Sequence, residues 1–147
     1  MKLNTASAVI SFVKELEDKS SRFYEGASSK YIAGKEMFTS FAMENRKNRA
    51  FVERVYYGVI SDALEGCFSF EGIDTDDYRL DNMLADGADY FEALLTAMVM
   101  EEKIVAFYLA AGGASESLMA DIPKAFEKIA RKKEERIARL KSLINGG

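Results

Sequence analysis

Four stretches of the chain place mostly apolar residues every three or four positions, the spacing that collects them on one face of an α-helix. The pattern predicts helices over residues 7–27, 35–64, 87–111 and 121–144. The four stripes are formed by Val9, Val13, Leu16, Ser20 and Tyr24; Phe38, Phe41, Phe51, Val52, Val55 and Val59; Phe91, Leu94, Leu95, Met98, Val105 and Tyr108; and Phe126, Ile129, Ile137, Leu140, Leu143 and Ile144. Asp121 is expected to cap the last helix, and Pro123 suits its first turn.

The segments between the predicted helices differ in length. The stretches "SSKYIAGKE" and "AGGASESLMAD" are short, so each predicts an antiparallel helical hairpin. Residues 66–85 form a much longer segment that could cross the length of a bundle. Its "IDTDDYRLD" lacks the glycine and the final Glu of an EF-hand, so we interpret it as a polar surface turn. The sequence therefore predicts one all-α domain, a four-helix bundle of two hairpins joined by a long crossover.

The composition excludes several kinds of chemistry. The chain of 147 residues contains no His, which removes imidazole acid–base catalysis, His-containing triads and imidazole metal ligands. Cys67 is the single cysteine, so no internal disulfide or Cys-x-x-Cys motif exists, and no base partner for its thiol is identifiable. The net charge of −4 argues against nucleic acid as a partner.

The targeting features predict a cytoplasmic protein. Acidic residues follow the start of the chain too early for a good signal peptide. No apolar run approaches the roughly 18–20 residues that span a bilayer, so we expect no membrane partner.

A short phrase occurs twice in the sequence. Leu16-Glu17-Asp18-Lys19 matches Met100-Glu101-Glu102-Lys103, and Phe23-Tyr24 matches Phe107-Tyr108 at the same offset. The second helix repeats more faintly in the fourth, where "MFTSFAMENRKN" lies over "AFEKIARKKEER". The long connection separates the two copies, as expected for a duplicated helical hairpin.

With this repeat, the chain resembles the rubrerythrin-like branch of the ferritin-like superfamily. The phrases "ELEDKSSRFY" and "VMEEKIVAFY" look like that family's first and third helices, each of which supplies one Glu to a di-iron centre. The resemblance implies a ferritin-like bundle, iron as cofactor, and oxygen, peroxide or iron-handling chemistry. It assigns the single-Glu metal positions to Glu17 and Glu101, each two helical turns before the matching Tyr24 or Tyr108.

The sequence departs from the family at the two Glu-x-x-His pairs of the second and fourth helices. Asn45 and Asn48 stand at the Glu and His positions of the second helix, and Lys133 and Arg136 stand there in the fourth. A slip of one residue would offer Glu44 and Glu134 instead. The helical periodicity opposes that slip, because the altered residues fall on the apolar stripes themselves.

The inward polar residues suggest a replacement for the metal. Glu17 and Glu101 balance the charges of Lys133 and Arg136, and ionised groups that face a core must be paired. We expect Arg136 to hold one carboxylate in a bidentate fork and Lys133 to hold the other. Two further pairs of side chains, Asn45 with Asn48 and Tyr24 with Tyr108, would complete the polar network. The alternative is that Lys133 and Arg136 lie at the stripe margin and extend to solvent.

Three functions remain open at this point. The first is a non-catalytic binding or regulatory bundle without a cofactor, acting as a homodimer or with an unidentified protein partner. The second is an iron- or manganese-dependent oxidoreductase or iron-handling protein that uses a carboxylate-only site. The third is an unrelated helical interaction module, against which the repeated phrase argues.

Overall fold

The computed structural model describes residues 1–59, 73–80, 84–114 and 121–146. These residues contain four long α-helices, α1 (Ala6–Lys30), α2 (Lys35–Val59), α3 (Tyr90–Ala114) and α4 (Asp121–Asn145). Two short strands, β1 (Lys2–Leu3) and β2 (Ile73–Asp74), pair antiparallel, and a 3₁₀ turn follows over Thr75–Tyr78. The predicted all-α four-helix bundle is confirmed. Residues 60–64 of the second predicted helix, and Cys67, lie outside the described residues.

The helices pack as two hairpins that face each other. Helix α1 packs on α2 and α3 packs on α4, while α2 contacts α4 and α1 contacts α3 across the bundle. Tyr24 reaches Glu101 and Tyr108 reaches Glu17, so α1 and α3 run in opposite directions. Since α1 is also antiparallel to α2, helices α2 and α3 point the same way. The chain must therefore return along the bundle between them.

The described part of that return runs beside α1 and α3. Strand β2 pairs with β1 next to the start of α1. The carbonyl of Arg79 then accepts a hydrogen bond from Lys103 of α3. At the far end, Lys30 donates to the carbonyls of Ala85 and Asp86 at the end of α1. The segment therefore runs from one end of the bundle to the other.

Local side-chain contacts set the helix ends. The hydroxyl of Thr5 accepts from the N–H of Ala8 and caps α1. The carboxylate of Asp89 accepts from the N–H of Glu92, which starts α3 three residues later than the sequence predicted. Helices α1 and α3 each continue three residues beyond their predicted ends, and α4 continues one. Asp121, predicted as a cap, is the first residue of α4.

The α1–α2 turn requires glycine at position 34. Gly34 has a φ of +77°, a conformation that residues with a Cβ rarely adopt. A Cβ there would also lie 2.9 Å from ring atoms of Tyr90. The turn therefore fits against the start of α3 only because residue 34 has no side chain.

Most of the predicted stripe residues lie in the bundle core or pack against it. Buried residues of α1 recur at the matching positions of α3, so the sequence repeat is also a repeat of burial. Phe91 and Leu143 were placed on stripes, but their exposed fractions are 49% and 38% because both face away from the neighbouring helices. In the described residues, no helix is long and apolar enough to cross a membrane.

Candidate functional site

All eight inward polar residues predicted from the sequence meet in the middle of the bundle. Each helix contributes two: Glu17 and Tyr24 from α1, Asn45 and Asn48 from α2, Glu101 and Tyr108 from α3, and Lys133 and Arg136 from α4. Every one of these side chains is buried, and none is more than 4% exposed. The alternative in which Lys133 and Arg136 extend to solvent is wrong, because both lie on the centre of the inward face of α4.

Glu101 forms one half of this polar core. Its Oε1 accepts from the hydroxyl of Tyr24 at 2.7 Å and from Nη1 of Arg136 at 2.9 Å. Its Oε2 lies 3.8 Å from Nζ of Lys133 and has no hydrogen-bond partner in the described residues. Glu101 therefore lies within reach of two cations.

Glu17 forms the other half. Its Oε1 accepts from the hydroxyl of Tyr108 at 2.6 Å and lies 3.2 Å from Nζ of Lys133. Its Oε2 accepts from the same Nζ at 3.3 Å. Each carboxylate is thus bonded to the tyrosine of the other repeat, and Lys133 lies between the two carboxylates.

The two asparagines have different roles. Asn45 accepts through Oδ1 from Lys133 at 3.0 Å and from Arg136 at 2.8 Å, and its Nδ2 donates to Oγ of Ser20 at 2.7 Å. This side chain therefore joins both cations. In contrast, the buried Nδ2 of Asn48 has no partner among the described residues. We expected both asparagine amides to form hydrogen bonds within the network, and this expectation is wrong for Nδ2 of Asn48.

Arg136 does not form the predicted bidentate fork. Its Nη1 serves both Glu101 and Asn45, while Nη2 donates to the carbonyl of Phe41 at 3.5 Å and lies 3.6 Å from Glu44. The guanidinium carbon lies 4.5 Å from the ring centroid of Phe41, a cation–π contact. The fork is absent because the neighbours of Arg136 come from several directions. Their contacts still stabilise its charge.

The one-residue slip is also excluded. Glu134 is exposed on the outer side of α4, away from the polar core. The side chain of Glu44 is 43% exposed and contacts the network through Arg136. The inward positions are therefore those indicated by the helical periodicity.

Burial and charge shift the pKa values of the network. Burial raises the pKa of Glu17, because removal from water outweighs the favourable effects of Lys133 and Tyr108. Burial acts the same way on Glu101, but Lys133 and Arg136 together outweigh it and lower the pKa of Glu101. Burial and the adjacent carboxylates raise the pKa of Tyr24 and Tyr108 well above 10. Both tyrosines therefore act as neutral hydrogen-bond donors.

The residues present do not fit the di-iron centre that the family resemblance implies. Such a centre needs carboxylates and imidazoles around two cations. Here two carboxylates face an ammonium and a guanidinium, and the four charges cancel without metal. Among the described residues, no group of three or more Asp, Glu, Cys or His side chains is placed to hold a metal ion. Lys133 lies where a cation bridging Glu17 and Glu101 would bind.

Two features around the polar core were not predicted from the sequence. Ser20 was recognised only as a stripe residue, although its polarity amid apolar neighbours was a signal for its bond to Asn45. The pairing of β1 with β2 was not foreseen, since strands of two residues leave no periodic pattern. Neither feature changes the charge balance of the polar core.

Comparisons with known proteins do not assign the chain to a family. No protein-family model, curated protein or solved structure matches it. The geometry of the site therefore carries the functional argument.

Proposed function

We propose that this chain is a ferritin-like bundle whose di-metal centre has been replaced by an internal network of ion pairs. In this proposal it acts as a metal-independent binding or regulatory protein, and not as an oxidoreductase. The observation that carries the proposal is the position of Lys133, whose fully buried Nζ lies 3.2 Å from Glu17 and 3.8 Å from Glu101. An ammonium there supplies the positive charge that two carboxylates facing each other require.

The topology and the repeat support the ferritin-like assignment. Helices α2 and α3 run in the same direction, which needs the end-to-end connection typical of that superfamily. Glu17 and Glu101 occupy matching positions of the two hairpins and form matching bonds with Tyr108 and Tyr24. A duplicated metal-binding hairpin would leave this symmetry after its Glu-x-x-His pairs were lost.

The same contacts argue against catalysis at this site. Both tyrosine hydroxyls already donate to carboxylates, and Lys133 and Arg136 are held by acceptors inside the bundle. A general base or nucleophile must reach its substrate. Three polar atoms of the network have no hydrogen-bond partner among the described residues, Oε2 of Glu101, Nδ2 of Asn48 and Nε of Arg136, but all three are buried inside the bundle. We therefore place the function on the outer faces of the helices.

The first test of the proposal is metal content. The protein is produced in medium supplemented with iron and manganese, purified without chelator, and analysed for bound metal per chain by plasma mass spectrometry. We expect far less than one iron or manganese per chain. Near-stoichiometric metal that disappears in Glu17→Ala, but not in the exposed control Glu15→Ala, would instead support the iron- or manganese-dependent oxidoreductase.

A second test restores the family ligands. The variant Asn45→Glu, Asn48→His, Lys133→Glu, Arg136→His places two Glu-x-x-His pairs opposite Glu17 and Glu101. We expect this variant to bind up to two divalent metals and to gain thermal stability when they are added, since ligands of the native state stabilise it. A folded variant that binds no more metal than the unmodified protein would contradict the ferritin-like origin of the site.

A further inference from the structure

A groove lies between α2 and α4 on the outside of the bundle. Since α2 points the same way as α3, it is antiparallel to α4, and the last turns of α2 face the first turns of α4. The groove has a volume of about 390 Å³, which lies within the range of about 300–1,000 Å³ that is usual for small-molecule sites. We define the α2–α4 groove by its described lining residues, Phe51, Arg54, Val55, Gly58, Asp121, Lys124, Ala125 and Lys128.

The floor of the α2–α4 groove is apolar. Ala125 is buried, and Phe51 and Val55 are partly buried where they pack against the bundle core. Gly58 contributes no side chain, and a Cβ at its position would meet no described atom of another helix within 4 Å. An apolar group could therefore enter the groove without displacing a described side chain, and its removal from water would be favourable.

Three basic side chains surround this apolar floor. Arg54, Lys124 and Lys128 are exposed, and none of them forms an ion pair with a residue that the structure describes. Arg49, one turn earlier on α2, is in contrast paired with Asp18 across the surface. The chain as a whole has a net charge of −4. The groove is therefore a local site of positive charge on an acidic protein, and its charge is complementary to an anion.

The charges are ordered along the groove. At one end, Nζ of Lys128 lies 5.0 Å from the ring centroid of Phe51, a cation–π contact. At the other end, Asp121 is the first residue of α4, where the helix dipole favours a carboxylate. A bound anion would be repelled by Asp121 and attracted by Lys128. A ligand with one negative group would therefore place that group near Lys128 and its apolar part towards Gly58.

We propose that the α2–α4 groove binds a small amphipathic anion, an aliphatic carboxylate whose head group pairs with the three basic side chains. From Phe51 to Gly58, helix α2 rises about 10 Å, so the groove accommodates a short or medium-length chain. A protein interface of standard size involves about 20–30 residues of each partner, whereas the groove has only eight described lining residues. The dimensions therefore favour a small molecule over a protein partner.

The test is a titration of the unmodified protein with sodium octanoate, followed by amide NMR spectra and by calorimetry below the concentration at which octanoate forms micelles. We expect saturable binding with a dissociation constant of about 1 mM or lower, and shifts of the amide signals of residues 51–58 and 121–128. Acetate has the head group without the chain, and octan-1-ol has the chain without the charge. Both should bind at least about tenfold more weakly than octanoate, because each lacks one of the two interactions.

Paired variants test the basic side chains of the groove. The double variant Lys124→Ala, Lys128→Ala should weaken octanoate binding by about tenfold, since two exposed ion pairs are lost. The matched control is Lys132→Ala, Lys141→Ala, which removes the same charge from exposed positions of α4 outside the groove. We expect the control to bind octanoate as the unmodified protein does.

A second pair of variants tests the apolar floor. Gly58→Leu fills the groove and should abolish octanoate binding, whereas Gly26→Leu on α1, where a Cβ also meets no described atom of another helix within 4 Å, should not. Absence of saturable binding by the unmodified protein, or equal binding by the groove variants and their controls, would overturn the proposal. These variants lie outside the polar core, so either result leaves the metal-content test of the proposed function unaffected.

Discussion

Removal of the Glu101 carboxylate should destabilise the protein severely. Its Oε1 accepts hydrogen bonds from Tyr24 and Arg136, and its side chain is fully buried. In Glu101→Ala, Lys133 and Arg136 would share only the charge of Glu17 inside the bundle. Breaking a buried pair by removing one partner costs about 3–5 kcal/mol. Glu44 lies 3.6 Å from Arg136 and offsets part of the lost charge, so we expect a value near the lower limit.

The assay is urea unfolding followed by circular dichroism, with the free energy of unfolding extrapolated to water. The control is Glu102→Ala, the same substitution one residue along α3 at an exposed position, where we expect a change within about 0.5 kcal/mol. For a domain of this size, a loss of 3 kcal/mol also lowers the melting temperature by about 10 °C. Glu101→Ala and Glu102→Ala should therefore be separated clearly by both measurements.

A double-mutant cycle distinguishes lost charge from lost packing. Glu101→Gln keeps the volume but leaves an excess positive charge, and Lys133→Met removes one cation. We expect the double variant to be about 2 kcal/mol more stable than the sum of the two single losses predicts, since neutrality is restored. A Glu101→Ala loss within 1 kcal/mol of Glu102→Ala, or additive effects in the cycle, would refute the charge-balance reasoning.

Three further predictions concern the same network. Asn45→Leu should lower the free energy of unfolding by more than about 2 kcal/mol, because it removes the acceptor of two cations. Asn48→Leu should change it by less than about 1 kcal/mol, and equal losses for the two variants in urea unfolding would contradict this prediction. Tyr108→Phe should cost about 1.5–3 kcal/mol by removing the hydroxyl bonded to Glu17, and a loss below 0.5 kcal/mol in the same assay would show that this bond is not stabilising. The pKa of Glu101 is lower in the native protein than the ordinary Glu pKa of about 4.3. Ionised Glu101 therefore stabilises the native state above that ordinary pKa, and this stability is lost as the pH falls through the lower native pKa. The raised pKa of Glu17 acts oppositely. As the pH falls towards 4.5, the carboxylate of Glu17 binds a proton in the native protein before it does so in the unfolded chain, and this stabilises the native state. Urea unfolding at a series of pH values should therefore show a steep loss of the free energy of unfolding only below about pH 4. The increase in the free energy of unfolding that Glu17 causes above that pH should disappear in Glu17→Gln. A loss of stability that begins near pH 6 and vanishes in Glu101→Gln would reverse the assignment of the two pKa shifts.

The local pattern of the sequence was sufficient for the existence of the four helices and for the membership of the polar core apart from Ser20. Helical periodicity fixes the direction of each side chain around its own axis, so Asn45, Lys133 and Arg136 could be placed on inward faces without knowledge of the neighbouring helices. Charge balance then required Glu17 and Glu101 to meet those cations. The helix ends were less certain, because they depend on single contacts such as the bond between Asp89 and Glu92.

Only the tertiary structure decided which groups bond to one another. The packing of the four helices pairs Tyr24 with Glu101 and Tyr108 with Glu17. It also makes Asn45 the common acceptor of Lys133 and Arg136, and it leaves Nδ2 of Asn48 without a partner among the described residues. It also left Phe91 49% exposed, although the sequence places this residue on the apolar stripe of α3. The physical reason is that a distance between side chains on different helices depends on helix register and spacing, which a periodic pattern within one helix does not contain.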